Sequence, residues 1–260
     1  MAITSELPHA LAGFSELMTK LPDRGLGSGE VLLGLDFDGT LAPIAPRPED
    51  AVLPEGARRA IVGLVARGVA VAVISGRGLD DVRAKVGVDG VVYAGSHGFE
   101  IAGGGHDYLH PVTAKMEEVL PGVADAIEAG LAGVQGVQVE RKRVSLAVHS
   151  RLVSSDEGRA RVATVTRDVA TRHGLRCRTG KEVFELGPEV DWHKGRALRK
   201  IAGDREAMYV GDDVTDEDAF GAVGEGVAIV VTREARETAA GWRLEDPTEV
   251  VALLERWLAG

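Results

Sequence analysis

Runs of apolar residues alternate with amphipathic stretches over the first hundred residues. Val31–Leu35 and Val69–Ile74 are apolar on both faces, which is typical of strands buried inside a parallel sheet. Pro54–Arg67 predicts a helix between them, because proline suits the first helical position. A helix over Leu79–Val86 and a strand over Val91–Ala94 follow. This order predicts an α/β fold with a Rossmann-like, doubly wound parallel sheet.

The pattern changes over residues 106–187, where short strands alternate polar and apolar positions. A hairpin is predicted over Phe99–His110, strands over 137–139 and 144–148, a strand pair within 176–186, and helices over 114–133 (interrupted at Pro121) and 156–173. The α/β pattern resumes with a helix at Lys194, strands over 207–210 and 227–231, and a last helix from Asp246. We therefore predict a core of residues 1–105 and 188–260 and an α+β cap domain of residues 106–187.

Composition narrows the function classes. The chain has 260 residues and a formal net charge of −10, which argues against nucleic-acid or anionic-membrane partners. The single cysteine, Cys177, excludes an intramolecular disulfide and a cysteine zinc cluster. Residues 1–29 predict a short helix and a Gly-rich loop, GLGSG, without the features of a signal peptide. We expect a cytoplasmic monomer with no membrane partner.

Charge is distributed unevenly along this acidic chain. Residues 140–181 hold eleven Lys or Arg against four Asp or Glu. This basic segment falls inside the predicted cap and indicates attraction to a small anion, although a solvated helix face would account for many of the individual arginines.

Polar side chains follow several predicted strands at their carboxyl ends, where open parallel sheets bind ligands. They are Asp36, Asp38, Gly39 and Thr40 in GLDFDGTL, Ser75, Gly76 and Arg77 in SGR, Lys194 in HKG, and Asp212, Asp213 and Asp216 in GDDVTDEDAF. Two carboxylates separated by one residue point the same way in an extended chain, so both can reach one pocket. Hard oxygen ligands of this kind suit Mg2+, which would compensate the buried carboxylates.

The same residues suit phosphoryl chemistry. An aspartate beside a metal-bound phosphate can act as a nucleophile and form an aspartyl-phosphate. A second carboxylate, kept protonated by its charged neighbour, can protonate the leaving oxygen. Hydroxyl groups and a lysine would hold the phosphate.

These four motifs, in this order, resemble those of the haloacid dehalogenase superfamily of phosphatases over about residues 31–260. The resemblance implies that Asp36 is the nucleophile and that Asp38 is the general acid/base and offers its carbonyl to Mg2+. It also implies that Thr40, Ser75 and Lys194 bind the phosphate and that Asp212 ligates the metal, with Gly39, Gly76, Arg77, Asp213 and Asp216 around them.

The cap phrases are similar to those of the trehalose-6-phosphate phosphatases. ERKRVSLAVHSR and GKEVFELGP of the cap carry this narrower resemblance, together with GSHGFEI and GDDVTDEDAF of the core. It implies trehalose 6-phosphate as the substrate, bound through Glu140, Lys142, Arg151, Lys181 and Glu185. These relatives often have a tyrosine where this chain has Ser150, and the resemblance gives His193 no role.

Three alternatives stay open from the sequence. A related phosphatase could act on another sugar phosphate, such as sucrose phosphate or mannosyl-phosphoglycerate. A response-regulator receiver also presents an acidic cluster and a lysine, but its chain is about half as long and needs no basic insert. A sugar-phosphate sensor without activity would not need both Asp36 and Asp38.

Overall fold

The computed structural model describes residues 1–22, 29–180 and 182–260. Lys181 and most of the predicted GLGSG loop lie outside the described residues. The described strands are β1 (Ala2–Ile3), β2 (Val31–Leu35), β3 (Ala70–Ile74), β4 (Val92–Gly95), β5 (Glu100–Gly103), β6 (His106–Leu109), β7 (Gln138–Arg141), β8 (Leu146–His149), β9 (Leu175–Gly180), β10 (Val183–Pro188), β11 (Glu206–Gly211), β12 (Val227–Val231), β13 (Glu237–Thr238) and β14 (Trp242–Leu244). The helices are α1 (Phe14–Met18), α2 (Glu55–Ala66), α3 (Leu79–Val86), α4 (Val112–Gly130), α5 (Asp156–Arg172), α6 (Lys194–Ala202), α7 (Glu217–Phe220) and α8 (Pro247–Ala259).

Contacts divide the described chain into two compact units, the first of residues 1–108 and 192–260 and the second of residues 109–191. These limits lie within a few residues of the core and cap boundaries expected from the sequence. The functional division into a phosphatase core and a substrate-reading cap stays a prediction.

An eight-stranded sheet in the order β14-β12-β11-β2-β3-β4-β5-β6 forms the centre of the first unit. The strands from β14 to β4 pair in parallel, and β5 pairs antiparallel to β4. Successive residues of β2 face opposite sides, so Leu33 joins the apolar core beneath α2 and α8 while Leu32 joins the core beneath α6 and α7. This arrangement confirms the predicted doubly wound α/β fold.

The second unit is an α+β layer pair. Its antiparallel sheet has the order β7-β8-β10-β9. Val148, Phe184 and Leu186 point from this sheet into a core shared with α4 and α5. The residues between them along each strand point to the opposite face, which is largely polar.

The structure corrects the expectation at Pro121. The helix pattern was expected to be interrupted there, but α4 runs through it without a break. Proline removes one backbone hydrogen bond of the helix. Burial of Leu120, Val123 and Ile127 on the same helix supplies apolar contacts that oppose a break.

Three strands of the first unit, β1, β13 and β14, were not expected from the sequence. β13 has two residues and pairs with β1, and β14 has three residues at the edge of the large sheet. Such short segments carry too few positions for a periodic pattern. No helix within the described ranges has both the length and the apolar character needed to cross a membrane.

Candidate active site

The strand order of the first unit's sheet creates a topological switch point between β2 and β11. β2 and β11 are neighbours, and the chain continues from β2 to β3 on one side and from β11 to β12 on the other. Ligands of doubly wound folds bind at this crevice, beyond the carboxyl ends of the strands. Asp36 follows β2, Ser75 follows β3, and Asp212 follows β11. Three of the predicted motifs therefore meet at one edge.

Lys194, the first residue of α6, joins two of the carboxylates. Its ammonium nitrogen Nζ lies 3.0 Å from Oδ2 of Asp36 and 2.7 Å from Oδ1 of Asp216. The side chains of Lys194 and Asp36 are 2% and 7% exposed. Removing the Lys194 charge would leave two buried carboxylates without their cationic partner, so Lys194 is needed to hold both in place.

Asp216 is fully buried and accepts four hydrogen bonds. Oδ1 accepts from Lys194 and from the Tyr209 hydroxyl at 2.7 Å each. Oδ2 accepts from the backbone amides of Asp212 and Asp213 at 3.1 Å each. Asp216 therefore fixes the loop that carries Asp212 and also orients Lys194.

Burial and like charge shift the titration of this cluster. Burial raises the pKa of Asp36 well above its ordinary value, with Asp216 and Asp212 raising it further against the opposing effect of Lys194. Burial, followed by Asp216, raises the pKa of Asp212 to about 7. Burial alone would lower the pKa of Lys194, but Asp216 and Asp36 outweigh it, so the pKa lies above the ordinary value and the ammonium stays charged. One ammonium thus faces three carboxylates.

The carboxylates of Asp36, Asp212 and Asp216 lie close enough together to hold one metal ion. Each offers one carboxylate oxygen, and these oxygens lie within 4.8 Å of one another. Hard oxygen donors with excess negative charge suit Mg2+, so the residues fit the expected ion. Asp216 joins Asp36 and Asp212 in this cluster, and the backbone carbonyl of Asp38 as a further ligand stays a prediction.

Asp38 points to a different partner. Its two carboxylate oxygens accept hydrogen bonds from Nε and Nη2 of Arg77 at 2.6 and 2.7 Å. Arg77 also donates to Asp81 at 2.8 Å and lies over the Phe37 ring, 5.3 Å from its centre. Burial alone would lower the pKa of Arg77, but hydrogen bonds to Asp38 and Asp81 raise it above the ordinary value. This fork orients both carboxylate oxygens of Asp38.

Gly39 allows Asp212 to approach the turn after β2. Its φ is +78°, and a Cβ atom placed there would lie 2.1 Å from Oδ2 of Asp212. Neighbouring Thr40 is buried, and its hydroxyl donates to Oδ1 of Asp212 at 3.3 Å. The D-G-T pattern thus brings together the loops that follow β2 and β11.

A strained turn supports the loop Ser75–Arg77. Ser96, His97 and Gly98 all have positive φ, which is uncommon for non-glycine residues. The His97 amide donates to the Ser75 carbonyl at 2.8 Å, and the Ser96 amide donates to the Arg77 carbonyl at 2.6 Å. This contact was not expected from the sequence, where GSHGFEI indicated only the family resemblance.

Other predicted residues have local roles. Gly76 packs beneath His97, since a Cβ atom on it would lie 2.9 Å from the imidazole. Asp213 caps the short helix Val214–Asp216 by accepting from the Val214 amide at 2.6 Å. His193, which had no expected role, precedes α6, and its Nδ1 lies 3.7 Å from Oδ2 of Asp218.

In the second unit, three predicted residues share the polar face of the sheet or its edge. Glu140 and Glu185 both pair in register with Ala147 of β8, so their side chains point to the same face. Oε2 of Glu140 lies 3.0 Å from Nε2 of His149. Lys142 reaches towards this face, with Nζ 3.9 Å from Oε1 of Glu185.

Arg151, another predicted residue of the second unit, lies beside Glu182, the residue before β10. Nε of Arg151 donates to Glu182 at 3.2 Å, and the Arg151 side chain is 66% exposed. The Ser150 hydroxyl donates to the Glu182 carbonyl at 3.2 Å. Lys181 lies outside the described residues. The structure therefore does not bring Arg151 onto the row of Glu140 and Glu185.

The profile of the trehalose-phosphatase family matches residues 34–248. A trehalose-phosphate phosphatase of Mycobacterium marinum is 41% identical over 97% of this chain and 66% of its own length. A Mycobacterium tuberculosis protein named as an uncharacterized glycosyl hydrolase is 42% identical over 98% of this chain and 20% of its own.

Solved structures show the same fold. A trehalose-6-phosphate phosphatase related protein superposes with a TM-score of 0.78 and 25% identity, over 88% of this chain and 97% of its own. The C-terminal domain of the Candida albicans trehalose-6-phosphate phosphatase gives 0.79 at 21% identity, over 97% of this chain and 98% of its own.

Proposed function

The chain belongs to the trehalose-phosphatase family, and from this we propose that it hydrolyses trehalose 6-phosphate to trehalose and inorganic phosphate. The chain spans 66% of the length of the curated Mycobacterium marinum relative, so the proposal concerns the chemistry of the described units. The observation that carries it is the buried Asp36–Lys194 pair within a cluster of carboxylates at the switch point of the sheet.

Asp36 is the proposed nucleophile. A carboxylate oxygen attacks phosphorus, the bond from phosphorus to the sugar oxygen breaks, and an aspartyl-phosphate forms on Asp36. Lys194 holds Asp36 in place and offers its ammonium to a phosphate oxygen. Thr40 and Ser75 are the proposed hydroxyl donors to the same phosphate. Bound Mg2+ would neutralise charge on the phosphoryl oxygens and lower the pKa values of the carboxylates around it.

Asp38 is the proposed general acid and base. It gives a proton to the leaving sugar oxygen, and its carboxylate then takes a proton from the water that attacks the aspartyl-phosphate. The second attack breaks the bond from phosphorus to Asp36 and frees phosphate. Arg77 donates one hydrogen bond to each oxygen of Asp38, which leaves a second lone pair on each oxygen for the leaving group or the water.

The second unit is proposed to read the sugar. Glu140, Lys142 and Glu185 present charged groups near one polar sheet face, and charged groups make strong hydrogen bonds to sugar hydroxyls. Lys181 and Arg151 are retained in this proposal from the family resemblance. The cytoplasmic location, the monomeric state and the absence of nucleic-acid and membrane partners stay predictions.

Phosphate release from a panel of sugar phosphates tests the proposal. We expect trehalose 6-phosphate to have the highest kcat/KM, and we expect chelation to abolish turnover that added Mg2+ restores. A higher kcat/KM for sucrose phosphate, glucose 6-phosphate or mannosyl-phosphoglycerate would overturn the assignment of trehalose 6-phosphate as the substrate. Absence of phosphate release from every member, by folded protein with Mg2+, would overturn the reaction itself and favour a sensor.

A further inference from the structure

Tyr209 is a fully buried tyrosine that contacts the candidate site through its hydroxyl. It lies in β11, two residues before Gly211, and its ring packs at 5.9 Å, edge to face, on Phe220. Its hydroxyl donates to Oδ1 of Asp216 at 2.7 Å. That same oxygen accepts from Lys194. A continuous buried chain of polar contacts therefore runs from Tyr209 through Asp216 and Lys194 to Asp36.

The interior of β2 makes room for this ring. Gly34 pairs in register with Tyr209 across the parallel strands. A Cβ atom on Gly34 would lie 2.6 Å from Cδ2 of the tyrosine ring. Glycine weakens a strand, and one within a strand often marks a close approach of another group. Gly34 has an ordinary negative φ, so the close contact with the ring accounts for it better than backbone conformation does.

Resting on the proposed function, we infer that Tyr209 is a positioning residue, which orients Asp216 so that Lys194 is held against Asp36 and the phosphate. The two carboxylate oxygens of Asp216 accept hydrogen bonds from different groups. Oδ2 accepts from two backbone amides, and Oδ1 accepts from two side chains. The Tyr209 hydroxyl fixes the direction in which Oδ1 faces, and the Lys194 ammonium follows that direction.

A packing role alone would also place the tyrosine hydroxyl beside an acceptor, because buried tyrosines nearly always find one. The chain offers a matched control for that reading. Tyr93 in β4 is buried in the same unit, donates to the Val88 carbonyl at 2.7 Å and accepts from the Val88 amide at 2.9 Å. Tyr93→Phe removes a buried hydroxyl whose two hydrogen bonds both go to Val88, outside the candidate site.

The test compares Tyr209→Phe with Tyr93→Phe in Mg2+, on trehalose 6-phosphate and on an aryl phosphate. We expect Tyr209→Phe to lower kcat about tenfold on both substrates, because one hydrogen bond to a charged group is lost. KM should change less than about twofold. Tyr93→Phe should keep kcat within about twofold of wild type, while its loss of Tm is comparable. Equal kcat values for the two variants, whether both fall or both stay unchanged, would overturn the inference.

A crystal structure of Tyr209→Phe decides the question if the wild-type protein releases no phosphate from any monoester. An absence of phosphate release would overturn the proposed function, but the position of the Lys194 ammonium could still be measured. Movement of the Lys194 ammonium out of hydrogen-bond distance of Asp36 would support the positioning role. An unmoved ammonium, still bonded to Asp36 and Asp216, would overturn it.

Discussion

Replacing Asp212 with asparagine should change how the stability of the metal-free protein depends on pH. The folded state raises the pKa of Asp212 to about 7, through burial and the nearby Asp216. An unfolded aspartate titrates near its ordinary value of 3.8. Between these values the folded state holds a proton that the unfolded state has lost. The free energy of unfolding therefore falls as pH rises through this window and levels off above about 7.

The magnitude follows from the two pKa values. Each unit of difference is worth about 1.4 kcal/mol, and titration of the folded group near pH 7 flattens the upper end. Between pH 5 and pH 7, the free energy of unfolding of wild type should therefore fall by about 2 kcal/mol more than that of Asp212→Asn. The asparagine side chain still offers an acceptor to the Thr40 hydroxyl, so the perturbation removes charge more than contacts.

Urea unfolding of both proteins at pH 5, 6, 7 and 8, with a chelator present, measures the difference directly. Histidines and distant carboxylates cancel in the difference between the two proteins. Saturating Mg2+ should stabilise wild type more at pH 8 than at pH 5, because the ion competes with the proton for Asp212. A wild-type minus variant difference that is flat or rises with pH would refute the reasoning, as would an Mg2+ effect independent of pH.

Three further predictions follow from the proposed roles. Asp36→Asn should lower kcat at least about 10^3-fold while substrate binding survives, and a folded variant with a tenth of wild-type turnover would contradict covalent catalysis there. Asp38→Asn should impair trehalose 6-phosphate far more than an aryl phosphate, whose leaving oxygen needs less protonation, so equal losses would argue for a role in fold or metal binding. Glu140→Ala and Glu185→Ala should each lower kcat/KM for trehalose 6-phosphate about 10- to 100-fold and leave the aryl phosphate nearly unchanged. Parallel losses on both substrates would mean that these glutamates support the fold.

The strand–helix alternation and the motif order determined much from the sequence alone. Strands such as Val31–Leu35 are continuous apolar runs because both faces of the sheet are covered, and that pattern is visible without a structure. The carboxyl ends of parallel strands meet at one edge, so the convergence of Asp36, Ser75 and Asp212 followed from the same reasoning. Short edge strands such as Trp242–Leu244 carry too little pattern to be recognised.

Only the tertiary structure decided which polar groups pair. The sequence placed Asp38 and Asp216 in the same acidic set, yet Arg77 engages Asp38 while Asp216 lies at the centre of four hydrogen bonds. The sequence indicates only that Tyr209 is a strand residue. The structure shows that it pairs with Gly34 of β2 and that its hydroxyl donates to Asp216. Spacing along a chain determines the face on which a side chain lies. The partner of a buried charge depends on distances of a few ångströms between segments far apart in sequence, which packing of the whole core sets.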